Sequence, residues 1–296
     1  MKIDIVNHTT KWLGISAVFV VFAIAGLLFK GLNYGIDFSG GNLYQLKFEK
    51  NITLGEVNSF FDEVSKDFPQ LDGKSRKVQV SGENTVILRT SEMDEGQKND
   101  FLKKVENFGK YDLQKSDKVG ATIGEELKTS AIYALILGCI LIVLYITIRF
   151  EFKFALAAVI ALVHDVIISV GGIALLGYEL NTPFIAAVLT ILGYSINDTI
   201  VVFDRIRETL KRKNSPELGE AINISINQVM TRSINTSLTT FLAVIAILIF
   251  GGESLKTFIT TLLIGVVAGT YSSIFVASPL VYLLEKNKNK EAILEK

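Results

Sequence analysis

The chain has 296 residues, with 30 Lys and Arg against 30 Asp and Glu, a hydrophobic content of 49% and a mean hydropathy of +0.40. This is more apolar than an ordinary soluble enzyme and points to a membrane protein. Zero formal charge leaves no nucleic-acid footprint, and the single cysteine, Cys139, excludes an intrachain disulfide and a Cys-based metal cluster.

A hydrocarbon core of about 30 Å takes roughly 20 apolar residues per helix, and six runs of the chain qualify. The first, 12–29, is read as a retained helix, because it leads into a Gly-rich stretch without an A-x-A-like cleavage site. That stretch, YGIDFSGG, contains Gly35, Asp37, Gly40 and Gly41. Its glycines predict a tight turn from membrane helix into strand, with a membrane-to-domain hinge as the functional reading.

Residues 31–130 are expected to form one water-soluble α+β domain. In LYQLKFE, Tyr44, Leu46 and Phe48 alternate onto one strand face. TLGEVNSFFDEVSKDF carries Leu54, Val57, Phe60, Phe61, Val64 and Phe68 at helical spacing, with Thr53 and Glu56 as a capping box. KVQVS and TVILRT follow across a short turn, then a helix over 93–108 and a strand at 111–120. The order β-α-β-β-α-β is the ferredoxin-like arrangement, which by itself implies only a binding or docking module.

The remaining apolar runs are 131–148, 154–178, 182–203, 233–250 and 258–284. The third run contains His164 and Asp165, and the fourth contains Asn197 and Asp198. Ionisable groups at membrane depth are costly and face a protein interior or an aqueous cavity, so a transport or proton-relay role is read beside the structural one. Asp198 lies about five residues, roughly 8 Å, from one end of its run, and Asp165 roughly 16 Å from the end on the same side of the membrane. Arg232, at the start of the fifth run, is the candidate partner for Asp198, and Thr236 shares its helical face. Asp204, Arg205 and Arg207 follow the fourth run as an interfacial charge cluster. Gly265 and Gly269 form a GxxxG in the sixth run, a signal for close helix packing.

Charge sets the orientation. Segments 1–11, 149–153, 204–232 and 285–296 hold fourteen Lys and Arg, whereas the short loops 179–181 and 251–257 hold only Lys256. By the positive-inside rule both termini are cytoplasmic and 31–130 is extracytoplasmic. The expected organisation is therefore 1–30 as N-terminus and first helix, 31–130 outside, 131–285 as helices two to six with a cytoplasmic loop at 204–232, and 286–296 as a cytoplasmic tail.

YGIDFSGG, VHDVIISVGG, LGYSINDTIVVFDRIRE and NQVMTRSINTSLTT, in that order along nearly the whole chain, resemble the SecD/SecF family of bacterial protein-translocase subunits, relatives of the RND transporters. The resemblance implies a non-enzymatic, multi-pass subunit of the inner membrane, without cofactor or metal, that uses the proton-motive force to help exported chains leave on the outer side. It implies proton movement at Asp198, Arg232 and Thr236. Val229, Ser233 and Asn235 depart from the family pattern, which bears on the hydrogen-bond path around Asp198. The implied partners are a SecD-like subunit, the Sec channel (SecY, SecE, SecG) with SecA and YajC, an unfolded polypeptide, protons and membrane lipids. An RND-type small-molecule or lipid exporter would be expected to have twelve helices and two large outer domains. An intramembrane aspartyl protease is disfavoured by the different depths of Asp165 and Asp198. A passive scaffold for a SecD-like partner stays open.

Overall fold

The computed structural model describes residues 3–212 and 216–285; the expected tail 286–296 lies outside them. The chain divides into two compact units, a helical one of residues up to 33 with those from 133 onward, and an α/β one of Tyr34–Ile132.

Among the described residues six helices are long and apolar enough to cross a membrane: Val6–Lys30, Ala121–Arg149, Phe152–Leu176, Thr182–Leu210, Leu218–Phe250 and Glu253–Glu285, here the first to sixth spans. They are the six apolar runs, but several run on beyond them. The fourth continues to Leu210 and the fifth begins at Leu218, so most of the expected 204–232 loop is helix. Hydropathy ends where the chain turns amphipathic, whereas the helix continues: Ala221, Ile222, Ser225, Ile226 and Val229 are buried at helical spacing ahead of the apolar stretch.

The third, fourth and sixth spans are the most buried and the second is nearly bare. Close approach between the fourth and sixth rests on Gly265 and Gly269. A Cβ at Gly265 would lie 2.3 Å from Ile191, and one at Gly269 would lie 2.8 Å from Ser195. The sixth span is interrupted by a π-helical turn, Ser273–Ala277, between the α-helices Lys256–Ser272 and Ser278–Glu285. Such turns redirect backbone groups and often sit where a helix does chemical work.

In the α/β unit the strands are β1 (Gly41–Phe48), β2 (Lys77–Ser81), β3 (Thr85–Thr90) and β4 (Tyr111–Val119). They form one antiparallel sheet in the order β2-β3-β1-β4. Tyr44, Leu46 and Phe48 of β1 pack with Phe61 of helix Leu54–Val64 and Phe101 and Val105 of helix Glu95–Phe108. Each helix starts in a capping box, Thr53 with Glu56 and Asp94 with Gln97. The β4 edge alternates charge at Asp112, Lys115, Asp117 and Lys118, which guards an open edge against another strand.

The first capping box has a pH consequence. Glu56 accepts from the Thr53 amide at 2.9 Å and the Thr53 hydroxyl at 2.8 Å, and these bonds, helped by Lys50, hold its carboxyl below the usual glutamate range. A depressed folded pKa contributes stability above the unfolded value, lost as pH falls through the folded one. Hydrogen-exchange protection in the first turn of Leu54–Val64, corrected for intrinsic rates, should weaken over that acid range, and Glu56→Gln should lack the transition.

Before β1, Gly35 caps a single helical turn, Ile36–Ser39, and the chain then passes through Gly40 (φ 71°) and Gly41 (φ 114°). A Cβ at Gly40 would meet the Ala121 backbone at 2.9 Å, and one at Gly41 would meet the Thr90 carbonyl oxygen at 2.2 Å. Gly41→Ala therefore adds backbone strain of roughly 1–3 kcal/mol to a collision that β3 must yield to. Thermal unfolding and protease sensitivity should show a destabilised α/β unit, whereas Gly55→Ala, in open space on an exposed helix face, should not.

Candidate functional site

The fourth span is amphiphilic in an unusual way: it has polar groups on two faces, each met by a different neighbour. Toward the fifth span it presents Tyr194, Asp198, Arg205 and Thr209. The Tyr194 hydroxyl donates to Ser237 Oγ at 3.3 Å, Ser233 Oγ donates to Asp198 Oδ1 at 2.6 Å, Arg205 Nε donates to Gln228 at 2.7 Å, and Ser225 Oγ donates to Thr209 at 2.9 Å. These four contacts form a polar ladder down an antiparallel helix pair. Ser237 also bonds Thr270 of the sixth span at 2.6 Å.

Asp198 is half-buried, and its second oxygen, Oδ2, is buried without a hydrogen-bond partner. The expected ion pair with Arg232 is replaced by Ser233, the next residue, because the fifth span turns Ser233 inward and leaves Arg232 exposed. Arg232 instead lies on the open side of the fifth span. It lines a cavity of about 420 Å³ with Val201, Asp204, Arg205, Glu208, Gln228 and Val229 at the basic end of the bundle; along the fourth span that lining begins at Val201, one helical turn past Asp198. Thr236 and Asn197 are exposed on outward faces of their helices, and neither is brought to the carboxylate.

On its other face the fourth span meets the third and sixth. Asp165 is fully buried. Its Oδ1 lies 2.9 Å from His164 Nδ1, and its Oδ2 accepts from Ser195 Oγ at 2.5 Å and Ser272 Oγ at 2.8 Å. One turn along, Thr199 and Ser273 share a hydrogen bond of 2.8 Å, and Ser278 donates to the Ser273 carbonyl at 3.1 Å, within the π-turn. Asp165 and Asp198 thus belong to separate networks.

At the basic end, Arg149 Nη2 reaches both carboxylate oxygens of Asp204, at 2.9 and 3.0 Å. Arg205 pairs with Glu208, and Arg207 donates to the Arg149 carbonyl at 3.5 Å. This cluster ties the Arg149 end of the second span to the fourth. Sequence reasoning missed Ser195, Ser272 and Tyr194 and met Ser233 only as a departure from the family pattern; hydroxyls at helical spacing around a carboxylate are the signal that could have found them.

Fold and site define a polytopic membrane protein that carries two separately hydrogen-bonded carboxylates inside its helix bundle. The chain belongs to the SecD/SecF family. Residues 97–287 match the family model described as protein export membrane protein SecD/SecF, C-terminal, and residues 25–52 match the SecD/SecF GG motif. It is 48% identical to the protein translocase subunit SecF of Sebaldella termitidis, over 100% of this chain and 99% of that one. It is 39% identical to the protein translocase subunit SecDF of Thermus thermophilus, over 96% of this chain and 38% of that one. The crystal structure of SecDF from Thermus thermophilus, a translocon-associated membrane protein, superposes with a TM-score of 0.89 at 36% identity, covering 97% of this chain and 39% of that one.

Proposed function

We propose that the chain is a membrane subunit of the Sec protein-export machinery which, with a SecD-like partner, couples the proton-motive force to completion of polypeptide translocation. The relatives named protein translocase subunit SecF carry the export assignment, and the SecDF relative, of which this chain matches only 38%, carries the partner. The observation that carries the coupling is Asp198: a carboxylate inside a membrane span, with one oxygen held by Ser233 and the other buried without a partner, one helical turn from a polar cavity. A proton arriving through that cavity neutralises Asp198, removes its attraction for Arg232, and lets the fifth span shift against the fourth.

In this reading both termini are cytoplasmic, because the basic end faces inward by the positive-inside rule, and the protein lies in the bacterial inner membrane. The α/β unit is then an extracytoplasmic, ferredoxin-like module, its strand order supporting that class, which holds or releases the emerging polypeptide. Gly35, Asp37, Gly40 and Gly41 form the hinge into it. Asn197 and Thr236, exposed at membrane depth, serve the partner side of the proton path, while Asp204, Arg205 and Arg207 fix the depth of the fourth span. Asp165 contributes from an adjoining face. The assembly is completed by SecY, SecE, SecG, SecA and YajC, with no enzymatic step in this chain.

The test is to tag the chain, recover its complex from membranes, and compare export into vesicles with and without it. Recovery of a SecD-like subunit and the channel, with export stimulated only when a proton gradient is present, is the expected result. Equal export in vesicles lacking the chain would refute the reading.

A further inference from the structure

Asp165, bonded to His164, is fully buried in the bundle, and the Asp198 step does not require the pair. Asp165 carries a full set of donors for an ionised carboxylate: two hydroxyls on Oδ2 and the imidazole on Oδ1. Its counter-charge is the point of interest. Among the described residues no Lys or Arg pairs with Asp165, and His164 is its one cationic candidate. His164 is itself only 6% exposed, and its far nitrogen, Nε2, is buried without a partner.

We propose that His164 and Asp165 form a second proton-binding site, on a different face of the fourth span from Asp198, with His164 Nε2 as the atom that takes the proton. With hydrogen on Nδ1 alone, the imidazole is neutral and the pair carries one net negative charge in the bundle core. A proton on Nε2 makes the imidazolium, and the pair becomes a neutral ion pair. Burying a pair costs less than burying an uncompensated charge, so proton occupancy and tight packing favour each other. The packing in question is specific: Ser195 and Ser272 clamp the fourth and sixth spans to the third through Asp165, and Gly269 permits the approach. Loss of the proton leaves a charge that only water or a loosened helix contact can compensate.

The elements around the pair add little competing charge. The sixth span sets Tyr271 against the imidazole, ring centroids 6.4 Å apart, and the Tyr271 hydroxyl is already committed to the Trp12 carbonyl of the first span at 2.8 Å. The fourth span presents the hydroxyls of Ser195 and Thr199, while Asp198 turns toward the fifth. The fourth span therefore has a proton-dependent contact on each side. Resting on the export reading, this deepens it: Asp198 governs the fourth span against the fifth, and His164–Asp165 governs it against the third and sixth.

The chain has two histidines, so nitrogen NMR can read this one directly. In the full chain with His8→Gln, labelled at histidine nitrogens and reconstituted in lipid bilayers, lowering the pH should convert His164 from a one-proton to a two-proton imidazole. Asp165→Asn keeps an acceptor for both serines and should weaken that conversion. His164→Gln keeps a donor to Asp165 but cannot take a proton; it should assemble normally and lose the pH dependence of gradient-driven export that wild type shows. A His164 spectrum unchanged until the fold is lost, or a His164→Gln variant with the wild-type pH profile, would overturn the proposal and leave the cluster a static clamp. Because the NMR conversion does not involve Asp198, it can succeed where the Asp198 reading fails, and the reverse.

Discussion

Asp198→Asn is expected to abolish the gradient-driven stimulation of export while the chain reaches the membrane and assembles at wild-type levels. Asparagine keeps an oxygen that accepts from Ser233, whose hydroxyl lies 2.6 Å from Oδ1, so the rung between the fourth and fifth spans survives. What is lost is a group that can be charged in one state and neutral in another. One elementary charge moved through 100 mV supplies about 2.3 kcal/mol, which corresponds to roughly a 50-fold bias between two conformations. The variant forfeits that bias, and secreted-protein precursors should accumulate as they do when the chain is absent. Ser233→Thr, which keeps the hydroxyl, should be close to wild type; Ser233→Val should be intermediate, because Asp198 then has no hydroxyl to hold it. Loss of the complex itself in Asp198→Asn would instead mark the carboxylate as an assembly contact, as a passive scaffold requires.

Gly269→Leu should have the second-largest effect, through packing. The nearest atom to an added Cβ is Ser195 Cβ at 2.8 Å, and of the following hydroxyls Ser273 donates to the Ser195 carbonyl of the fourth span and Ser272 to Asp165 of the third. Overpacking a core site typically costs about 1–3 kcal/mol, and here the side chain also pushes Ser195 away from Asp165. The fourth span cannot move aside without breaking the Asp165 clamp and disturbing the Asp198 rung on its other face. The expected outcome is a chain extracted from membranes in low yield, with reduced thermal stability in detergent. Gly14→Leu serves as the control, since nothing lies within 4 Å of its added Cβ. Equal yields for the two variants would show that the fourth and sixth spans tolerate separation.

What could be read from the sequence follows what lipid and water each enforce. Bilayer thickness imposes apolar length, so the six spans were visible, and strand alternation exposed β1 through Tyr44, Leu46 and Phe48. The true ends of the spans were not, because Leu218–Arg232 is helical by an amphipathic pattern that hydropathy averages away. The carboxylates Asp165 and Asp198 were conspicuous in apolar helices. Their partners were less so: a serine in such a helix is unremarkable until the helix is rotated into place. Arg232 and Ser233 differ by about 100° around the fifth span, and that rotation is set by packing with the fourth and sixth. For the same reason Thr236 and Asn197, attractive by spacing, point outward, while Ser195 and Ser272 converge on Asp165 from separate helices.

The most direct test is the release of a stalled exported polypeptide from vesicles containing this chain, its SecD-like partner and the Sec channel, followed as the imposed proton gradient is raised. Wild type should release faster with each increment, and Asp198→Asn, at equal complex content, should give a flat response. The same slope in both would contradict the assignment of Asp198 as the coupling residue and place the source of the gradient response in the partner.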